Sequence, residues 1–222
     1  MPRILCYGDS NTWGFVPEPQ PPAPRHPPES RWPRVMQALL GAAWEVIEEG
    51  LNGRTTDAAD PTHPEITGAG LDGAAYLPAC LASHLPLDLV VIMLGSNDLK
   101  AMYARSPLRI ALGAGRLVDI VQTIGAGVGT PYTASPAVLL VCPPPLGAMA
   151  HFSEMFAGGH ARALALPAAY AAIAQAAGAG FLDAGRVIGS DGADGLHLTA
   201  TAQRTLGRAV ADAVRARWPE MG

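Results

Sequence analysis

Apolar residues along the chain form runs that predict five buried strands. The run from Leu89 to Leu94 is continuously apolar, which is typical of a strand covered on both faces of a parallel sheet. Four further, mainly apolar segments also predict strands. The five predicted strands are Arg3 to Tyr7, Trp44 to Glu48, Leu87 to Leu94, Ala137 to Cys142, and Gly180 to Leu182.

Helical patterns separate the strands. Three of them are Trp32 to Leu40, Leu108 to Ile124, and Ala161 to Ala177. A fourth begins near Thr199, a residue suited to capping a helix, and carries apolar residues every four positions from Leu206 to Trp218. This alternation predicts a three-layer α/β protein in which helices cover both faces of a central five-stranded parallel sheet. We expect residues 1–222 to form a single domain.

Three irregular segments interrupt the alternation. Pro17 to Pro33 holds eight prolines in 17 residues, and two interpretations stay open: an extended surface loop, or an arm that covers a site or clasps another subunit. Thr55 to Gly73 is expected to be a long ordered loop. Pro143 to Gly159 carries Phe152 and Phe156, which suggests a cover over a pocket or an interface.

Composition and charge narrow the function classes. Apolar residues make up 49% and charged residues 15% of the chain, as in a globular enzyme. The net charge of −4 and the lack of a basic stripe argue against a nucleic-acid partner. No apolar stretch approaches the about 20 residues that span a bilayer, and no leader precedes the first strand. We therefore expect a cytoplasmic protein without a membrane partner. The three cysteines are too few for a disulfide framework and lack CxxC spacing.

The residues that could carry chemistry follow the predicted strands. Ser10 follows the first strand, Gly53 the second and Asn97 the third, while Asp194 and His197 precede the last helix. Because ligands of an open α/β sheet bind outside the carboxyl ends of its strands, we expect these four segments to converge on one edge.

The residue types at this edge are those of a serine hydrolase. Ser10 would attack an ester carbonyl, His197 would remove and return the proton, and Asp194 would hold the imidazole tautomer. The backbone N–H groups of Ser10 and Gly53 and the side-chain amide of Asn97 would stabilise the oxyanion. Asp194 is favoured for the orienting role over a competitor, Asp191, because it shares a short turn with His197.

Other polar residues have simpler interpretations. Asp9 and Asp98 are expected to brace loops rather than to catalyse. The remaining histidines have no partner pattern and are expected at surface or loop positions; they are His26, His63, His84, His151 and His160. No metal-ligand spacing such as HExxH occurs, so neither a metal nor a cofactor is expected.

These blocks resemble the SGNH (GDSL-type) hydrolase family. Residues 8–10 (GDS) resemble its nucleophile block, Gly53 stands at its oxyanion glycine, and residues 95–98 (GSND) and 194–197 (DGLH) resemble its last two blocks. The placement of Asp194 and His197 together near the C-terminus also separates the chain from GxSxG hydrolases, whose elbow is lacking here. The resemblance implies a flavodoxin-like fold and cofactor-free hydrolysis of small esters.

A closer resemblance is to one branch, the arylesterases and acyltransferases that include perhydrolases. It extends over nearly the whole chain, through residues 6–14, 46–51, 85–89 and 143–146. It implies acyl transfer to alcohols or hydrogen peroxide as well as to water, and a homo-oligomer, notably an octamer. Asn11 departs from the usual leucine beside the nucleophile. We expect Asn11, Trp13, Phe152 and Phe156 to shape the substrate pocket.

Alternative functions stay open at this point. Within the same fold these are a thioesterase, a lysophospholipase or a carbohydrate deacetylase. A different class is a non-catalytic flavodoxin-like module whose loop from Gly8 to Gly14 binds an anion or a flavin, although that loop is a poor phosphate cradle. An inactive scaffold is the last alternative, and intact Ser10, Asp194 and His197 argue against it.

Overall fold

One sheet of five parallel strands organises the protein. The structure is a computed structural model that describes residues 1–17, 25–63, 66, 68–124, 134–149 and 151–219. The strands are β1 (Arg3–Gly8), β2 (Glu45–Gly50), β3 (Leu89–Met93), β4 (Ala137–Cys142) and β5 (Gly180–Asp183). Their order is β2-β1-β3-β4-β5, with every neighbouring pair parallel. The predicted α/β fold class and all five strands are confirmed.

Helices connect the strands and cover the sheet. They are α1 (Ser10–Trp13), α2 (Trp32–Leu40), α3 (Gly73–His84), α4 (Pro107–Thr123), α5 (Gly159–Leu164), α6 (Leu166–Ala176) and α7 (Ala200–Arg217). Side chains of β1 alternate between the two faces: Leu5 and Tyr7 pack in a core with α3, α4 and α6, whereas Ile4 and Cys6 pack with α2 and α7. The predicted three layers are therefore confirmed.

Two helices differ from the prediction. The single helix expected over Ala161 to Ala177 is divided into α5 and α6, because Pro167 stands in the first turn of α6 and cannot continue a preceding helix. The sequence pattern did not reveal α3. This helix contains Pro78 and is apolar on nearly all sides, so it lacks the amphipathic period that identifies a surface helix. The Asp72 carboxylate caps it by accepting hydrogen bonds from the N–H groups of Ala74 and Ala75.

The irregular segments are partly described. Residues 18–24, 64, 65, 67 and 150 of these segments lie outside the described residues, so the interpretations of the proline-rich stretch as loop or arm stay untested. At its end, Pro33 lies in the first turn of α2 rather than in a loop. His26, expected at a surface or loop position, lies in the loop before α2; it is buried, and its Nε2 lies 3.0 Å from the Leu198 carbonyl oxygen. His84, also expected at a surface or loop position, is the last residue of α3 and is half-buried.

The sheet edge after β1 and β2 is packed so closely that it requires glycine. A Cβ atom at Gly50 would lie 2.1 Å from the Trp13 backbone nitrogen, and one at Gly8 would lie 2.0 Å from Thr12 Oγ1. The lack of these Cβ atoms lets α1 lie directly against the strand ends. Ser10 is thereby held at the carboxyl edge of the sheet. None of the described helices is long and apolar enough to cross a membrane.

Candidate active site

Ser10, His197 and Asp194 form a continuous hydrogen-bonded chain. His197 Nε2 lies 2.9 Å from Ser10 Oγ, and His197 Nδ1 lies 2.6 Å from Asp194 Oδ2. Ser10 and His197 are both buried, with 5% and 6% of their surface exposed. Ser10 and His197 are 187 positions apart in the sequence, so the fold brings the two ends of the chain together. This geometry suits a serine whose proton passes to an oriented imidazole.

The Asp194 carboxylate is held by the turn that carries His197. Its Oδ1 accepts hydrogen bonds from the backbone N–H groups of Leu196 and His197, both 2.9 Å long. Burial by itself raises the pKa of Asp194, but the hydrogen bonds from the side chain and backbone of His197 outweigh it and lower the pKa to about 2. The competitor, Asp191, instead accepts bonds from the backbone N–H and hydroxyl of Thr199. The structure therefore places Asp194, not Asp191, against the imidazole.

Asn11 connects the nucleophile turn to the histidine loop. Its Oδ1 accepts a hydrogen bond from the Leu198 N–H at 3.1 Å, and its Nδ2 donates to the Leu196 carbonyl at 3.3 Å. The backbone carbonyl of Asn11 accepts a further bond from Gln203 Nε2 on α7 at 2.8 Å. Asn11 is buried and is not among the described residues that line the cavity beside Ser10. This corrects the expectation that it shapes the substrate pocket.

A cavity of about 700 Å³ opens at Ser10. Among its lining residues are Gly53, Asn97 and His197, so the residues expected to form the oxyanion hole share one space with the serine. Gly53 has a φ of +83°, a left-handed conformation that favours glycine. One side-chain N–H of Asn97 donates to the Arg54 carbonyl oxygen at 3.1 Å, which fixes the direction of the amide.

Aromatic side chains form the apolar wall of this cavity. Phe152 and Phe156 line it, as expected, with their ring centroids 6.4 Å apart. Phe15 lines it too, and its ring centroid is 4.3 Å from that of His197. Trp13 is not among the described lining residues; Arg25 lies over its ring, 5.2 Å from the centroid. The expectation that Trp13 forms the wall is thus corrected, because Phe15 occupies the position beside the imidazole.

A buried ionic network braces the two loops that carry Gly53 and Asn97. Asp98 accepts hydrogen bonds from the Thr56 N–H at 2.9 Å, the Thr56 hydroxyl at 2.6 Å and Arg105 Nη1 at 2.7 Å. Arg105 also binds Asp57 at 2.6 Å. The interpretation of Asp98 as a bracing carboxylate is confirmed. Moving one loop away from the other would leave a buried charge without its partner, which is strongly unfavourable. The network therefore holds both loops in place.

Arg54 and Lys100 are buried cations beside the site that the sequence analysis did not single out. Arg54 donates from Nη1 to the carbonyl oxygens of Gly8 at 2.9 Å and Glu49 at 2.5 Å, and its guanidinium lies over the ring of Tyr7. Lys100 lines the cavity and its Nζ is 2.5 Å from Asp60 Oδ2. The signal available for Lys100 was that it is the single lysine of the chain, two residues after the GSND block. Nothing in the pattern around Arg54 indicated burial.

Comparison with known proteins agrees with this geometry. The model of the GDSL-like lipase/acylhydrolase family matches residues 6–205. The chain belongs to this family. As expected from the sequence blocks, the enzyme is therefore an esterase of the SGNH type. A search of curated proteins gives no match.

Solved structures of the family are similar over nearly the full chain. An aryl esterase of M. smegmatis is 51% identical, with 97% of this chain and 99% of that chain covered and a TM-score of 0.91. Est24, a carbohydrate acetylesterase of Sinorhizobium meliloti, is 46% identical, with 98% and 100% covered and a TM-score of 0.91. A second carbohydrate acetylesterase family member from Sinorhizobium meliloti is 40% identical, with 97% and 98% covered and a TM-score of 0.89.

Asp9 links the site to the pH dependence of stability. Its carboxylate accepts a hydrogen bond from the Asn11 N–H at 2.9 Å and caps α1. Burial raises the pKa of Asp9 from 3.8 to about 6, although that N–H and the charges of His197 and Arg54 oppose the shift. Between pH 4 and pH 6 the folded state therefore holds a proton that the unfolded state has released. The contribution of Asp9 to the free energy of unfolding therefore falls by about 3 kcal/mol in total as the pH rises through that range.

We expect Asp9→Asn to remove this loss, since asparagine also caps helices and carries no charge. The free energy of unfolding, measured with urea from pH 4 to pH 8, should fall for wild type relative to Asp9→Asn as the pH rises to 6 and then stay level. The exposed Asp212→Asn serves as the matched control and should follow wild type. Parallel curves for wild type and Asp9→Asn would contradict the prediction.

Proposed function

We propose that the enzyme hydrolyses small carboxylic esters through an acyl-enzyme on Ser10. The observation that carries this proposal is the alignment of Ser10 Oγ, His197 and Asp194, with contacts of 2.9 and 2.6 Å, where Ser10 and His197 line the cavity. In the first half of the reaction, Ser10 Oγ attacks the ester carbonyl while its proton moves to His197 Nε2. Collapse of the tetrahedral intermediate expels the alcohol, which takes that proton, and leaves Ser10 esterified.

We propose that Ser10, Gly53 and Asn97 stabilise the tetrahedral oxyanion, with the backbone N–H groups of the first two and the side-chain amide of the third. All three line the cavity, and the second side-chain N–H of Asn97 is distinct from the one that binds the Arg54 carbonyl. Each such donor contributes on the order of 10²–10³ in kcat. The bracing of both loops by Asp98 and Arg105 supports this assignment because the donors require fixed positions.

The second half of the reaction transfers the acyl group, and we propose that alcohols and hydrogen peroxide accept it as well as water. The acceptor loses its proton to His197 Nε2, attacks the acyl carbonyl, and the proton returns to Ser10 Oγ. An apolar wall favours an organic acceptor over water near the acyl-serine. Phe15, Phe152 and Phe156 supply such a wall. The reaction needs neither a cofactor nor a metal at this site.

A second candidate substrate class is acetylated carbohydrate. Polar side chains line the cavity as well as the aromatic ones. They are Asn52, Thr62, His63 and Lys100. Such groups suit a hydroxylated leaving group. Two structural neighbours that are 46% and 40% identical to this chain carry the name carbohydrate acetylesterase. Aryl and sugar acetates share the same acyl group, so both classes fit one catalytic arrangement.

Two further features complete the proposal. We propose that residues 1–222 act as a single SGNH hydrolase domain, supported by one sheet with a core on each face. We also propose a homo-oligomer, of which an octamer is the form implied by the resemblance. Large apolar side chains at the surface support association; among the described residues they include Met102, Leu108, Leu112, Met155 and Leu164.

Ser10→Ala and His197→Ala should each lower kcat for a short-chain aryl ester by at least about 10⁴-fold, since nucleophile and base act as one unit. Steady-state kinetics measures the loss, and circular dichroism confirms that both variants fold. Ser83→Ala, which changes a serine on α3 outside the cavity, should keep wild-type activity. Turnover that survives Ser10→Ala would overturn the nucleophile assignment.

Acyl transfer predicts mixed products in water. With an acyl ester and an added primary alcohol, wild type should form a new ester together with free acid, and Ser10→Ala should form neither. Chromatography of the products over a range of alcohol concentrations measures the partition. Free acid as the sole product at high alcohol concentration would retain the esterase and refute the transfer.

The cavity predicts a preference for short acyl chains. Phe152→Ala removes part of the apolar wall and enlarges the cavity, so it should raise kcat/KM for medium-chain aryl esters relative to the acetate by at least about tenfold, the smallest effect typical of one methylene in an apolar pocket. Phe181→Ala, on the partly exposed β5, should leave the ratio unchanged. The kcat/KM values of wild type for an aryl acetate and a sugar acetate, compared with those of the same variants, separate the two substrate classes. An unaltered chain-length ratio in Phe152→Ala would contradict its place in the acyl pocket.

A further inference from the structure

Glu49, Cys80 and His84 form a compact cluster that the esterase chemistry does not use. Each residue offers one ligand atom, a carboxylate oxygen, a sulfur or an imidazole nitrogen, and these atoms lie within 4.8 Å of one another. His84 Nε2 is 3.0 Å from Glu49 Oε1. None of the three is among the described residues that line the cavity at Ser10. The cluster is therefore a separate feature of the molecule.

We propose that Glu49, Cys80 and His84 bind one Zn²⁺ ion between β2 and α3. The ligand set favours zinc, because zinc combines thiolate, imidazole and carboxylate ligands, whereas Mg²⁺ and Ca²⁺ require oxygen ligands. Three protein ligands leave a fourth position for water. No local spacing in the sequence reveals this cluster, because it joins two distant segments, β2 and α3.

Regular secondary structure positions all three ligands. Cys80 and His84 are four residues apart on α3, so their side chains project from the same face of the helix. Glu49 lies on β2 and faces them. In a tetrahedral zinc site two ligand atoms are roughly 3.4–3.6 Å apart, given metal–ligand bonds of 2.0–2.3 Å. The three ligand atoms, which all lie within 4.8 Å of one another, are close to that spacing.

Access to the cluster is from the solvent side. The side chains of His84 and Glu49 are 27% and 21% exposed, while Cys80 is buried with 1% of its surface exposed. An incoming ion would meet the imidazole and the carboxylate first and then the sulfur below them. The exposed side of the ion would carry the water ligand.

The charges at the cluster allow a divalent cation. Formation of the Zn–S bond releases the Cys80 thiol proton to solvent, while Glu49 and His84 each donate a lone pair. One nearby cation is Arg54, whose guanidinium is bound by the carbonyl oxygens of Gly8 and Glu49 and lies over the ring of Tyr7. A second is Arg3, which donates from Nη1 to the His84 carbonyl oxygen at 2.6 Å and is itself paired with Glu45. The Glu49 carboxylate and the Cys80 thiolate therefore face the charge of Arg54.

The test is titration of the metal-free enzyme with Zn²⁺ and, separately, with Co²⁺ as a spectroscopic probe. Wild type should bind one Zn²⁺ per chain and melt at a higher temperature when it does, because the ion binds only the folded state. The Co²⁺ form should show a thiolate-to-cobalt charge-transfer band in the near ultraviolet and the visible bands of tetrahedral cobalt. Cys80→Ser should abolish the charge-transfer band and weaken zinc binding at least 100-fold.

Two further variants and a control make the test independent of any one substitution. Glu49→Gln and His84→Asn alter partly exposed side chains and should each weaken zinc binding at least tenfold. Cys142→Ser changes another buried cysteine and should bind zinc as wild type does. Retained esterase activity shows that each variant is folded, since none of these residues lines the cavity. Failure of wild type to bind zinc, or equal binding by wild type and the three ligand variants, would overturn the proposal.

Discussion

The alignment of Ser10 with His197 depends on hydrogen bonds that join the two ends of the chain. Asn11 accepts from the Leu198 N–H and donates to the Leu196 carbonyl, so it holds both neighbours of His197. Gln203 on α7 donates to the Asn11 carbonyl and accepts from the Trp32 N–H, which fixes the same turn to two helices. These groups are buried, and a buried polar group without its partner costs about 1–3 kcal/mol. The network therefore specifies one arrangement of the nucleophile and its base.

Buried charges give the other side of the site its rigidity. Asp98 and Arg105 connect the loop after β2 with the loop after β3, the two loops that carry Gly53 and Asn97. Arg54, between them, binds the carbonyl oxygens at the ends of β1 and β2. A buried ion pair is weak evidence for stability, but it does define geometry, because each charge is tolerated only beside its partner. This explains why an enzyme with few charged residues concentrates several of them at one sheet edge.

Strand β2 connects the active site with the Glu49 cluster. The carbonyl of Glu49 accepts from Arg54, whereas its side chain faces His84 on α3. The backbone of this strand end thus supports the loop that bears Gly53, while the side chain of Glu49 is one of the proposed zinc ligands. The two features are nonetheless chemically independent, because the ester reaction as proposed involves Ser10, His197 and Asp194 and no metal.

The sequence by itself determined the fold class, the five strands and the family, since continuous apolar runs identify buried strands and the four blocks keep their order and spacing. It also indicated which residues meet at the sheet edge, because parallel strands end at the same side. Only the tertiary structure decided that Asn11 binds the histidine loop and that Phe15, not Trp13, lies beside His197. Only the tertiary structure, likewise, brought Glu49 to Cys80 and His84. Local periodicity reports which face of an element is buried, whereas contacts between distant segments depend on how the elements pack.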